Sequence, residues 1–364
     1  MVFGAASAAP VRCARMNFVF PRFLAAISAC LCASAVVLAQ DEPALGDRWS
    51  APARLASQDL LLAIDGVSGG LVVAGARGHI LFSGDQGVSW IQSSVPTRVT
   101  LTGVDFVTLD IGWAVGHDSI ILHTDDGGET WAIQNHDPAA ETPFLDVWFA
   151  DEQNGIAIGA YGLMLKTSDA GKAWEPVAFE PVTAAAPADE AEAEDAWWES
   201  EMGGDYHLND IMETRNRHLF IAAEAGNIYR SDDLGASWLT VSPDYEGSFF
   251  GVFEAEAGRV IAVGLRGNLY STDDLGASWV HVGLPTIATL NSGIRLVDGT
   301  ILVTGLGGAA LVSRDNGDSF ELHTQENRKG IQTAFQLDDG SVMLVGEAGV
   351  DTLVLGVGGG GDSD

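Results

Sequence analysis

The sequence is short of cysteine, and all of it lies at one end: Cys13, Cys30 and Cys32, with none in the 332 residues that follow. Beyond residue 32 the chain can form neither a disulfide nor a thiolate metal site, so its stability has to come from packing. Lysine is almost as scarce, with Lys166, Lys172 and Lys329 as its three copies. Lys and Arg together number 18 against 50 Asp and Glu, a formal charge of −32. Phosphate contacts need clustered cations, so nucleic acid is excluded as a partner. Charged residues are nevertheless only 19% of the chain and hydrophobic ones 47%, which excludes an acidic disordered chain. The eight histidines are scattered with no His-x-x-x-His pairing, so neither a metal nor a cofactor is expected.

The first 39 residues stand apart. They hold Arg12, Arg15 and Arg22 and no acid, and residues 23–39 (FLAAISACLCASAVVLA) are apolar or small throughout. A basic stretch, an apolar stretch and small residues before a polar start have the layout of a signal peptide, with Met16 as an alternative start. The run is shorter than the ~20 residues of a membrane span. Ile27-Ser28-Ala29-Cys30 resembles a lipobox but cuts the apolar run in half, which ranks lipid anchoring below ordinary cleavage. Export, most simply to a periplasm, is expected. Removal of the leader would leave 15 basic against 50 acidic groups, or −35.

Self-similarity dominates the remainder. Six segments share Ser/Thr-x-Asp-x-Gly-x-x-Trp/Phe: residues 83–90, 124–131, 167–174, 231–238, 272–279 and 313–320. Their aromatic positions are 41, 43, 64, 41 and 41 residues apart, so one interval holds about 23 extra residues. Each period reads as four short strands; in the second these are residues 101–106, 112–116, 120–123 and one opening at Trp131. Four strands in a period of 40–45 residues indicate an all-β propeller of four-stranded antiparallel blades. Residues 331–335, 342–346 and 352–355 supply three strands of a last blade. The Gly-x-x-Trp at residues 46–49 lies one period before Trp90. A seven-bladed ring is therefore expected over residues 40–355, closed by residues 49–53 completing the last blade, with a glycine-rich tail at 356–364. Such closure removes exposed sheet edges.

Within the repeated box, Asp85, Asp126, Asp169, Asp233, Asp274 and Asp315 suit hairpin turns in which the carboxylate accepts backbone N–H groups and the glycine takes φ > 0. One copy per blade is a structural pattern, since identical groups around a rim do not converge on a substrate. A calcium loop would crowd several oxygen ligands into one segment. No catalytic residue is assigned.

Residues 103–131 (GVDFVTLDIGWAVGHDSIILHTDDGGETW) and 145–174 (LDVWFADEQNGIAIGAYGLMLKTSDAGKAW) resemble blades of the photosystem II stability and assembly factor family. The resemblance extends over about 49–355. It implies an exported, non-enzymatic seven-bladed propeller that assists assembly of a membrane complex, in phototrophs on the lumenal side of the thylakoid. Its partner would be a protein, a membrane-complex subunit or that subunit's exported segment, and the propeller itself a monomer. Phototroph members share an arginine-rich surface patch, whereas Arg77, Arg215, Arg217, Arg230, Arg266 and Arg295 stand isolated among acids here. The same box occurs in sialidases and other glycosidases, which makes a carbohydrate-binding or glycosidase-like propeller the alternative. That chemistry needs two opposed carboxyls, or a tyrosine nucleophile, with an arginine triad for a sialic acid. No such linear grouping is present.

In a propeller the turns between second and third strands share one face with the inter-blade connections, and loops on a rigid scaffold commonly carry binding. The expected partner face therefore comprises Arg77, His79, His117, Asp118, Tyr161, Glu224, Arg266, Asn268 and Glu347. The extra residues, 181–205, contain eight acids, no base and the pair Trp197 and Trp198. Residues 187–202 have helix-forming composition, and exposed paired tryptophans suit an interface, so this insertion is expected to lie on the same face as a docking arm.

Overall fold

Short apolar strands separated by glycine turns fold into seven antiparallel sheets, as seen in a computed structural model of the chain that describes residues 49–67, 70–183 and 206–353. Among these residues there is no α-helix, and the helical turns are of the 3-10 type. The second blade shows how closely sequence sets the pattern: its strands are Leu101–Phe106, Gly112–Gly116, Ile120–Thr124 and Ala132–Asn135. Each blade has its first strand innermost, and every innermost strand packs on those of two neighbours. The innermost strand of blade 7 (Ile331–Gln336) packs against that of blade 1 (Leu61–Val67), so the ring is closed.

The second strands (GLVVAG, GWAVG, GIAIG, LFIAA, VIAVG, ILVTG, VMLVG) are buried along their whole length, because both faces of a blade are covered by neighbouring blades. Apolar side chains therefore meet between blades. Trp131 of the second repeat box packs with Leu122 and Ala114 of its own blade and with Val72 and Ala74 of blade 1. Trp113 stacks on Phe149 of blade 3 with ring centroids 3.4 Å apart.

A break in register between first and second strands recurs in every blade. The residues skipped are Leu62, Thr102, Leu145, Asn209, Phe250, Asn291 and Gln332, and these seven line the central channel. A β-bulge thus re-aims one side chain per blade inward. The bulge brings the second strand hard against the first, where a Cβ at Gly116 would collide with the Thr100 carbonyl.

Two expectations need correction. Residues 49–53 do not form a strand of blade 7, which has three strands among the described residues: Ile331–Gln336, Val342–Gly346 and Gly349–Leu353. The segment's polar groups are instead taken up by blade 1. Ser50 N donates to Val95 O (2.9 Å), Ala53 N to Gln92 Oε1 (2.8 Å), and Arg98 Nε to Trp49 O (2.7 Å). The insertion does not begin on the expected partner face either. Val182–Thr183 pairs in parallel with Leu239–Thr240, the outermost strand of blade 4, so the chain enters the insertion at that blade's outer edge. It re-enters on the expected face, where Tyr206 O accepts from Gly162 N (2.9 Å). The leader (1–39), Trp197 and Trp198 with the rest of the docking arm, and the tail (356–364) lie outside the described residues.

Candidate functional site

The face that carries the strand 2–3 turns is built from tips with a shared geometry. Arg77, Asp118, Tyr161 and Arg266 have φ of 59°, 57°, 56° and 57°, in the left-handed region that disfavours residues other than glycine. The following residues close each turn onto the sheet, leaving Arg77, His117, Tyr161, Arg266 and Glu347 exposed. Tyr161 is 60% exposed and meets the His207 ring edge-on at 4.9 Å. Arg77 lies 3.7 Å from Asp59.

Several residues expected on this face, Glu347 among them, hold the turns together. His79 is buried, its pKa lowered by that burial against the opposing pull of Asp59. Asn268 Nδ2 donates to Leu265 O (2.8 Å), Glu224 accepts from His207 N (3.2 Å), and Glu347 accepts from Gly330 N (2.9 Å). The isolated arginines divide by face. Arg215, Arg217, Arg230 and Arg295 sit on the opposite face, each paired with a carboxylate: Glu254, Glu213, Asp232 and Glu256 respectively. Arg77 and Arg266 remain on the turn face.

The opposite face carries the repeat boxes. In each, the Ser or Thr hydroxyl donates to the box carboxylate and accepts the glycine N–H, while the carboxylate accepts the N–H four residues on. In the second turn Thr124 Oγ1 donates to Asp126 Oδ1 (2.8 Å), Gly128 N donates to Thr124 Oγ1 (3.0 Å) and Thr130 N to Asp126 Oδ1 (2.9 Å). The hydrogen bonds to Asp274 and Asp315 hold those carboxyls down at about 2. These six aspartates stand apart on six blades and tie up their own turns.

A second set of carboxyls has no counterpart among the expected site residues. Asp65, Asp105, Asp146 and Asp210 project from the innermost strands of blades 1 to 4, and each accepts a backbone N–H from the next blade. The donors are Phe106, Phe149, Ile211 and Val252, at 2.7–3.0 Å. Burial pushes Asp65 and Asp210 up to about 6, and Asp105, which also feels Asp65, up to about 7. Asp146 is raised well above the ordinary range by burial and by Asp210 beside it. Asp146 and Asp210 line a channel cavity of about 210 Å³. Their signal in the sequence was an aspartate inside an otherwise apolar strand, which strict alternation reads as a solvent-facing position. Among the described residues no group of three or more His, Cys, Asp or Glu is placed to hold a metal ion.

With this geometry in view, comparison with known proteins gives three results. Residues 82–202 match the family model described as photosynthesis system II assembly factor YCF48. The chain resembles the photosystem II assembly factors. A structure of YCF48 bound to D1 peptide superposes with a TM-score of 0.62 at 15% identity, over 80% of this chain and 92% of that one. YCF48 from Cyanidioschyzon merolae gives 0.64 at 15% identity, over 83% and 97%. The WD40 β-propeller domain of Doa1 gives 0.58 at 11% identity, over 83% and 95%, so the ring architecture is shared beyond assembly factors. A search of curated protein sequences finds no match.

Proposed function

We propose that this chain is an exported, monomeric, non-enzymatic propeller that binds an extramembrane segment of a membrane-complex subunit on its strand 2–3 turn face and so assists assembly. The observation that carries this reading is the set of exposed side chains, Arg77, His117, Tyr161 and Arg266, that the strand 2–3 turns gather on one face of a rigid ring. A relative of the same architecture has been seen with a D1 peptide bound, which supports a peptide as the kind of ligand. The charge of −35 after the leader suits a client segment that is neutral or basic. In a phototroph the compartment would be the thylakoid lumen; elsewhere, the periplasm.

The test is co-purification from crosslinked envelopes with a variant carrying Arg77→Ala, Tyr161→Ala and Arg266→Ala. Loss of one membrane subunit with an unchanged thermal midpoint is expected. Equal recovery by the variant, or specific retention on a glycan array with turnover of a glycoside substrate, would sink the reading.

A further inference from the structure

The third repeat turn departs from the others at one atom. In five of the six turns the second carboxylate oxygen, Oδ2, accepts a hydroxyl from four residues on. Ser89, Thr130, Ser237, Ser278 and Ser319 donate at 2.5–2.6 Å. Position 173 is alanine, so Asp169 keeps its Oδ1 bonds to Thr167 and Ala173 N while its Oδ2 has no donor among the described residues.

Asp169 borders a cleft of about 420 Å³ between blades 3 and 4, floored by Trp148, Ile156 and Leu234. Neighbouring seams show what such a cleft takes. At the blade 4–5 seam Arg230 Nη1 donates to Leu275 O (2.6 Å), and at the blade 5–6 seam Arg259 Nη1 donates to Asn316 O (2.9 Å). At the blade 2–3 seam Gln134 Nε2 donates to Ala170 O (2.8 Å). Ala170, Leu275 and Asn316 all occupy the fourth position of their box. The matching carbonyl at the blade 3–4 seam is that of Leu234, and it has no donor among the described residues. Lys166 stands where Arg230 stands one blade later, but its ammonium is tied to the Gly235 carbonyl instead. The other cation of the rim, Arg217, is engaged by Glu213 at 2.9 Å.

We propose that this cleft receives an arginine side chain from a partner polypeptide. Its guanidinium would donate to the Leu234 carbonyl and to Asp169 Oδ2, with the aliphatic stem over Trp148 and Ile156. The planar fork of donors suits two separated oxygens, as it does where Arg259 donates to Asn316 O and also to Asp318. The site lies on the face opposite the strand 2–3 turns, so it stands or falls apart from the client-binding reading above.

The probe is acetyl-Gly-Arg-Gly-amide, titrated into the full chain and followed by ligand-observed NMR, with the lysine and norleucine versions alongside. Saturable binding of the arginine peptide is expected, with the other two about tenfold weaker or more. Lys166→Arg, which supplies the seam with its own guanidinium, and Ala173→Ser, which occupies Asp169 Oδ2, should each weaken binding about tenfold while the thermal midpoint holds. Should Lys166→Arg fail to fold, Ala173→Ser carries the test alone. Equal binding of the three peptides, no saturable binding of the arginine peptide, or unchanged affinity in a folded variant would overturn the proposal.

Discussion

The aspartates of the repeat turns and those of the innermost strands are the same residue asked to do opposite things. On the rim, Asp126 is wrapped by the hydroxyls of Thr124 and Thr130 and by a turn amide, in contact with water, and these bonds favour its charged form. Near the axis, Asp105 accepts from Phe149 N of the next blade, and burial favours its neutral form. The rim carboxylates close turns within a blade, whereas the axial carboxyls join one blade to the next. What separates them is solvation and the number of donors, and that difference fixes the sign of their response to pH.

The largest expected effect follows from that sign. An axial carboxyl with a raised pKa keeps a proton in the folded state that the unfolded chain has released. Its contribution to stability is therefore fully present below the ordinary carboxylate range and is lost as pH rises through about 6 to 7. Raising pH from 5 to 8 should lower stability by several kcal/mol, and Asp105 alone accounts for ~2–3 of that. Asp105→Asn, which can still accept from Phe149 N, should flatten this slope and be more stable than the parent at pH 8. Denaturant unfolding across that pH range checks it; parallel slopes in the two proteins would remove Asp105 from the account.

The rim should respond in the other direction and by less. Thr124 is buried, and Thr124→Val keeps its shape while stranding the Gly128 N–H and one bond to Asp126. A loss of ~1–3 kcal/mol is expected at neutral pH. That loss should shrink as pH falls toward 2, because a depressed carboxylate contributes stability above the ordinary range and loses it on protonation. A cost independent of pH would mean that the hydroxyl acts by packing alone.

The contrast also marks where sequence reasoning succeeds and where it stops. Turn aspartates are legible because their partners are local: the box spells out Thr124, Asp126, Gly128 and Thr130 within seven residues. Strands of blade 2 are legible for the same reason, since apolar runs and glycines bound them. The axial aspartates depend on a bulge at positions such as Thr102 that shifts which side chain faces the channel, and on donors about 40 residues away. The seam at Leu234 is less legible still. Lys166 and Arg230 can be seen to correspond, but that a carbonyl lacks a donor is a fact about two blades in contact. The N-terminal segment misled for a related reason: a matching Gly-x-x-Trp gave the period, while the donors and acceptors of Gln92 and Arg98 settled where the backbone went.

The smallest expected effect falls on the one rim turn that is incomplete. Asp169 has its Oδ1 partners but no hydroxyl on Oδ2, and its carboxyl is lowered first by the Ala173 amide and then by Thr167. Ala173→Ser would give it the arrangement of Asp274, where a side-chain hydroxyl is the largest cause of a drop to about 2. The Asp169 carboxyl should then titrate at lower pH, and the acid limb of the stability curve should move down slightly with no change above pH 6. Carbon-detected NMR of the carboxyl resonance reads this directly. An unmoved titration would show that the five complete turns owe their low pKa to backbone amides, which would bring the rim closer to the axis than the hydrogen bonds suggest.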